Sequence, residues 1–180
     1  GTPTEVTEPP FIAIRAKGTV YEGGINVPLI AAGPAINQSG REEAGLVSAV
    51  DLFATVADLC GANPRRPFRK TDAVSFAPIL AAPGATTRTT IYAEWYALEP
   101  DEGIATLRDA QYKVIHNYKS GEIEFYDLLA DPFEDSPLPF GNLTPLQHAA
   151  FIAISTEMQT IRDTTASITA FGSAECIGSN

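Results

Sequence analysis

The sequence predicts an α/β protein whose second half is α+β, a small antiparallel sheet packed against a C-terminal helix. Four segments predict the sheet: residues 90–96, 104–109, 112–118 and 122–128 alternate or are rich in β-branched and aromatic residues. A stretch opening at Thr144 carries helix-start chemistry followed by an apolar stripe. In the first half a bounded apolar run precedes a capped amphipathic segment, the strand-then-helix order of α/β domains.

Taken in order, residues 26–32 (NVPLIAA) lie between Gly23-Gly24 and Gly33-Pro34 and read as a buried strand between two turns. After a polar loop, Ser48 and Asp51 have the spacing of reciprocal capping partners, and Gly61 closes the helix they open. Val47, Val50, Phe53, Ala54, Ala57 and Cys60 recur at three- and four-residue intervals, so this stripe is expected to face a core, with Cys60 a buried small hydrophobe. Residues 62–88 are expected to run over the surface, apart from an apolar patch at 76–80. Asp109-Ala110 and Lys119-Ser120-Gly121 supply the tight turns of a meander. Its amphipathic strands need a cover. Thr144, Pro145 and Gln147 are placed as cap, first helical residue and capping-box partner, and Phe151, Ile154, Met158 and Ile161 form the covering stripe. The tail after Asp163 is small and polar and is expected to be irregular or docked along the surface.

Composition narrows the function classes. With 180 residues, 44% of them hydrophobic, the chain can bury a sizeable core without a staple. Its net charge of −10 repels phosphate backbones and anionic lipid headgroups, so nucleic acid is not an expected partner. No window approaches the roughly 18 consecutive apolar residues of a membrane helix. Cys60 and Cys176 share no metal-binding spacing, and their redox state and the compartment stay open. His116 and His148 have no second ligand at metal spacing and are read as structural. Asp131, Glu134 and Asp135 lack the pattern of a calcium loop and read as an exposed acidic turn. Tyr92, Trp95 and Tyr96 read as an alternating strand with one exposed face.

The segment Lys17-Gly18-Thr19-Val20-Tyr21-Glu22-Gly23-Gly24-Ile25-Asn26-Val27-Pro28 resembles a signature of the sulfatases, members of the alkaline phosphatase superfamily. The helix sequence VSAVDLFATVADLCG, the Arg-Asp-x-x-Tyr-Lys of TLRDAQYKVI and the Tyr-Asp-Leu-x-x-Asp-Pro-x-Glu of EFYDLLADPFED come in the same order as in that family. The resemblance implies that residues 1–88 are the C-terminal part of the large catalytic α/β domain and 89–180 a small C-terminal subdomain. It implies that Lys17 contacts the substrate sulfate, on a turn supported by Glu22, Gly23 and Gly24. Asn26 departs from the family, which commonly has Arg there.

A sulfate monoester is an electrophile shielded by negative oxygens, so its hydrolysis needs a strong nucleophile, cations on the oxygens and an acid for the leaving alcohol. In the family a formylglycine hydrate, made in a Cys/Ser-x-Pro-x-Arg motif, attacks beside a calcium ion held in an oxygen cage. Neither Cys60 nor Cys176 begins such a motif. Gly1-Thr2-Pro3 resembles the residues directly after the family's metal-binding Asp-Asn pair, so no metal ligand is expected in this chain: the calcium ligands are expected just upstream of Gly1, and the formylglycine upstream. Family members are often periplasmic, secreted or lysosomal. The expected partner is a sulfate ester bound together with the N-terminal part of a parent enzyme, and the 180 residues alone are expected to be inactive. Two other readings stay open: a phosphonate or phosphate monoester hydrolase of the same superfamily, and a non-catalytic binding or assembly module. A detached fragment should expose apolar surface near residues 26–32 and self-associate, whereas a self-sufficient module should not.

Overall fold

The computed structural model describes residues 3–62, 72–95 and 102–175, with side chains to Thr164. Cys176, Tyr96 and residues 63–71 lie outside the described residues. The chain forms two compact units, Gly1–Asn26 with Tyr92–Asn180, and Val27–Ile91.

The first unit contains the predicted meander. Strands β1 (Ile91–Trp95), β2 (Ile104–Arg108), β3 (Tyr112–Asn117) and β4 (Glu122–Asp127) form one sheet in sequential order. β2 and β3 pair antiparallel from Ile104 opposite Asn117 to Arg108 opposite Lys113, and β3 and β4 from Tyr112 opposite Asp127 to Asn117 opposite Glu122. The turns form for the reasons their residues suggest. Asp109 Oδ1 accepts the N–H groups of Gln111 and Tyr112, and Gly121 closes the next hairpin at φ +73°, a conformation that disfavours side chains.

Alternation gives the sheet two unlike faces. Ala105, Leu107, Tyr112, Val114 and Phe125 join Ile154 and Met158 of the C-terminal helix in one buried apolar cluster, with Phe151 and Ile161 packed against it. The opposite face carries Arg108, Lys113, Glu124 and Tyr126, and beside them Ile115 packs with Val20. The covering helix, here α4, spans Pro145–Glu175. Its start is a reciprocal capping box, Thr144 N–H to Gln147 Oε1 at 2.9 Å and Gln147 N–H to Thr144 Oγ1 at 3.3 Å. The expected irregular tail is corrected: the helix continues through the small residues after Asp163 to Glu175.

The second unit departs further from expectation. Residues 26–32 are not a strand, and Val27, Leu29 and Ile30 are more than half exposed, Ile30 at 90%. An apolar run becomes a strand only when another strand takes up its backbone hydrogen bonds, and none of the described residues does so. Helix α2 (Asp51–Leu59) ends at Gly61 as expected, with φ +67° and the Ala62 N–H bonded to the Ala57 carbonyl. Its orientation departs from the expected one, although Ala54 of the expected stripe is buried. Asp51, Ala54 and Thr55 are buried, whereas Phe53 is 62% and Val56 59% exposed and Cys60 is an exposed free thiol. The apolar patch at 76–80 turns inward: Phe76 and Ile79, at and within the short helix α3 (Ala77–Ala81), are buried.

Candidate functional site

The N-terminal segment of the first unit builds a turn around Lys17. The Thr19 N–H and Oγ1 both bond to the Ala16 carbonyl, at 3.2 and 2.8 Å, and Gly18 takes φ +89°, as the third residue of a type II turn must. Lys17 is therefore the second residue of a tight turn, exposed, and among the described residues no hydrogen bond or ion pair reaches its ammonium. The chain then enters the single-turn helix α1 (Glu22–Ile25). A Cβ on Gly24 would lie 2.7 Å from the Ala16 carbonyl oxygen and closer still to that of Thr19, and one on Gly23 would lie 2.6 Å from that of Arg15. Backbone approach, rather than backbone angle, makes both positions glycine.

Beneath this turn sits a quartet of charges, Glu22, Lys113 and Glu134 buried and Arg108 partly exposed. Arg108 and Lys113 are directly opposite on β2 and β3, a pairing of like charges that is unfavourable without a counter-ion. Glu22 supplies it: Oε2 lies 2.7 Å from Arg108 Nη1 and Oε1 lies 3.0 Å from Lys113 Nζ. Lys113, fully buried, also reaches Glu134 Oε1 at 2.7 Å. The Glu22 N–H bonds Glu134 Oε2 at 2.5 Å, and Asn26 Nδ2 donates to Glu22 Oε2 at 3.0 Å. Two cations and two carboxylates leave the cluster formally neutral, the condition for burying charge at tolerable cost. Burial pushes the Glu134 carboxyl above the usual carboxylate range, and the Lys113 charge and hydrogen bonds offset this only in part.

The flanks of the turn are tied down further. Arg15 lays its guanidinium over the Tyr21 ring at 4.6 Å and donates from Nη1 to the Glu134 carbonyl. Tyr21 and Tyr126 both donate to the Glu124 carboxylate, Tyr21 at 2.5 Å, and burial, then these bonds, raise both phenols.

The expected exposed turn at Glu134 is corrected: its side chain is fully buried. Asp131 spends its carboxylate on the N–H groups of Asp135 and Ser136, which fixes the turn. His116 lies on the α4 side of the sheet, its ring 4.0 Å from that of Tyr118, and burial and then the Arg162 charge lower its pKa. His148 is exposed in the first turns of α4. Neither meets the quartet. The sequence held the signal that Glu134 differs from its acidic neighbours, since it ends one quoted motif while Glu22 lies in another and Arg108 and Lys113 in a third. What spacing could not show is that the three motifs meet.

The carboxylates here do not fit a calcium cage. Among the described residues no three His, Cys, Asp or Glu side chains are grouped to hold a metal ion, and Glu22 and Glu134 already face the Arg108 and Lys113 cations, with Glu134 also accepting the Glu22 N–H.

Fold and sequence together define the C-terminal portion of a sulfatase. The family model described as N-sulphoglucosamine sulphohydrolase, C-terminal, matches residues 14–143, a span that holds Lys17 and the whole quartet, and the chain belongs to that family. Arylsulfatase A of Bos taurus is 35% identical over 118 residues, covering 64% of this chain and 22% of the relative. Choline-sulfatase of Rhizobium meliloti (strain 1021) is 28% identical over 137 residues, 76% of this chain and 26% of the relative. A solved structure from Bacteroides thetaiotaomicron VPI-5482, assigned to the sulfatases, superposes with a TM-score of 0.65 and 26% identity over 81% of this chain and 32% of its own. The chain thus spans about a quarter of the length of the curated relatives it matches.

Proposed function

We propose that these residues form the C-terminal portion of a sulfate monoester hydrolase and supply Lys17 as a cation for the substrate sulfate. The observation that carries this reading is the Lys17 turn: an ammonium with no ion-pair partner among the described residues, raised on a turn whose flanks are tied into a buried charge cluster. A lysine is a compact point charge that suits a tetrahedral anion, and a pre-set turn spares the cost of ordering it on binding. In this reading residues 1–88 complete the large α/β domain and 89–180 form the small subdomain. The nucleophile, a formylglycine, and the calcium ion belong to a part of the enzyme upstream of Gly1, and the 180 residues alone do not turn over substrate. Calcium, where bound, would activate the nucleophile and neutralise sulfate oxygens. Asn26 offers Glu22 a neutral donor where an arginine would add a cation, so the substrate preference need not follow that of relatives with arginine there.

The test uses the native polypeptide that contains these residues, assayed on an aryl sulfate and an aryl phosphonate, beside the isolated 180-residue chain. Sulfate turnover by the native polypeptide and none by the chain is expected. A preference for the phosphonate would move the reading to the sister hydrolases, and turnover by the chain above a Lys17→Ala control would overturn it.

A further inference from the structure

We infer that Glu134 is a positioning residue that clamps both flanks of the Lys17 turn, with Lys113 as its counter-charge. The consequence for catalysis rests on the sulfate-binding role of Lys17; the clamp itself does not. On the N-terminal flank, Arg15 Nη1 donates to the Glu134 carbonyl. On the C-terminal flank, the Glu22 N–H donates to the Glu134 carboxylate. The two ends of an exposed turn are thus tied to one buried residue more than a hundred positions away in sequence. An exposed turn held only by its own hydrogen bonds belongs to the least stable part of a fold, and two ties to a single buried anchor remove that freedom.

Glu134 also occupies a conformation that its residue type does not favour. Its φ is +60°, in the left-handed region where glycine or asparagine would cost less. Glycine would relieve that backbone but lose the carboxylate that binds Lys113 and the Glu22 N–H. Strain kept at a residue whose side chain and carbonyl both hold the same loop is offset by what that residue holds. The Asp131 side chain secures the anchor from the other side by capping the N–H groups of Asp135 and Ser136. Lys113 needs both Glu22 and Glu134, since Glu22 is shared with Arg108.

Amide hydrogen exchange on the 180-residue chain tests the clamp. Glu134→Ala should speed exchange at Thr19, Glu22 and Gly24 by roughly tenfold or more, while Val114 and Phe125 change less than about twofold. Glu134→Gln keeps an oxygen to accept from the Glu22 N–H and should recover most of the protection. Arg15→Ala, at a partly exposed residue outside the apolar core, should loosen the same amides by a smaller factor and carries the test if Glu134→Ala does not fold. A uniform rise across the sheet would reduce Glu134 to a general stabiliser, and unchanged exchange at Thr19 and Glu22 in every folded variant would remove the clamp; either overturns the inference. In the native polypeptide, Glu134→Ala should lower kcat/KM for an aryl sulfate with partial rescue by Glu134→Gln. Full turnover in Lys17→Ala would sink the sulfate role of Lys17 and leave the exchange result standing, so the two failures are distinguishable.

Discussion

The unit built on the sheet buries Leu107, Val114, Phe125, Ile154 and Met158 against one another, whereas the unit of residues 27–91 buries Ala54, Phe76 and Ile79 and leaves Ile30, Phe53 and Val56 largely in solvent. Each unit nonetheless has a buried charged hub. In the second unit it is Asp51, fully buried, whose carboxylate accepts the N–H groups of Ser48 and Val74 and two guanidinium bonds from Arg88 at 2.6 and 2.5 Å. Arg41 adds a second tie, pairing with Glu43 and donating to the Ile79 and Leu80 carbonyls at the end of α3. The first unit therefore rests on an apolar core with a charge cluster laid on its other face, and the second on polar ties around a small core. The apolar side chains that the second unit leaves exposed line a shallow depression formed by Leu52, Phe53, Val56, Ala57 and Cys60.

The comparison breaks most readily at Asp51. Asp51→Ala strands the Arg88 guanidinium and two N–H groups, and should cost about 3–5 kcal/mol, read as lost exchange protection in residues 51–59. Next comes a matched pair of leucines. Leu107→Ala, at a fully buried site, should cost about 3 kcal/mol, whereas Leu52→Ala, on the outer side of α2, should stay within about 0.5 kcal/mol by denaturant titration. Equal costs would mean that α2 is covered in solution. Thr144→Ala removes one half of the α4 capping box and should cost about 1 kcal/mol by the same titration.

Acid should separate the hubs by sign. Burial raises the Asp51 carboxyl, but the Arg88 hydrogen bonds, the Val74 and Ser48 N–H groups and the Arg88 charge outweigh it, so it lies below its ordinary 3.8. Its contribution is present above that value and is lost as pH falls through the lower folded-state range. Glu134 lies above its ordinary 4.5, so its ionised form is disfavoured in the fold and acid relieves that cost between the raised value and 4.5. Exchange protection measured at successively lower pH should therefore hold or rise around Glu22 and fall around α2 below about pH 4, and Asp51→Asn should abolish the second change.

The sheet and the start of α4 were legible because their signals are local: period-two alternation, Asp and Gly at the turns, and a Thr-Pro-Leu-Gln cap. The α2 segment was legible as a helix, but not the direction it faces. Periodicity marks the apolar side of a helix, and which surface covers that side is decided elsewhere; here Thr55 bonds the Phe76 N–H and Asp51 the Val74 N–H, so the polar side turns inward. Residues 26–32 failed as a strand because pairing requires a partner that no local pattern supplies. Lys17 and its glycines stood out through a resemblance, and the glycines' contacts with the Ala16 and Arg15 carbonyls give that pattern a steric cause. Glu134 was missed because an acidic run in a turn reads as solvated, and only the opposed Arg108 and Lys113 across two strands show what its charge answers.

The most direct test of Lys17 as the sulfate-binding cation is kcat/KM for an aryl sulfate in the native polypeptide with Lys17→Ala, paired with exchange at the Glu22 amide. A fall of roughly 10²–10³-fold with unchanged exchange is predicted, as for loss of one charge-stabilising group from a preorganised site. Wild-type turnover by that variant would make Lys17 an ordinary surface lysine and contradict the proposal.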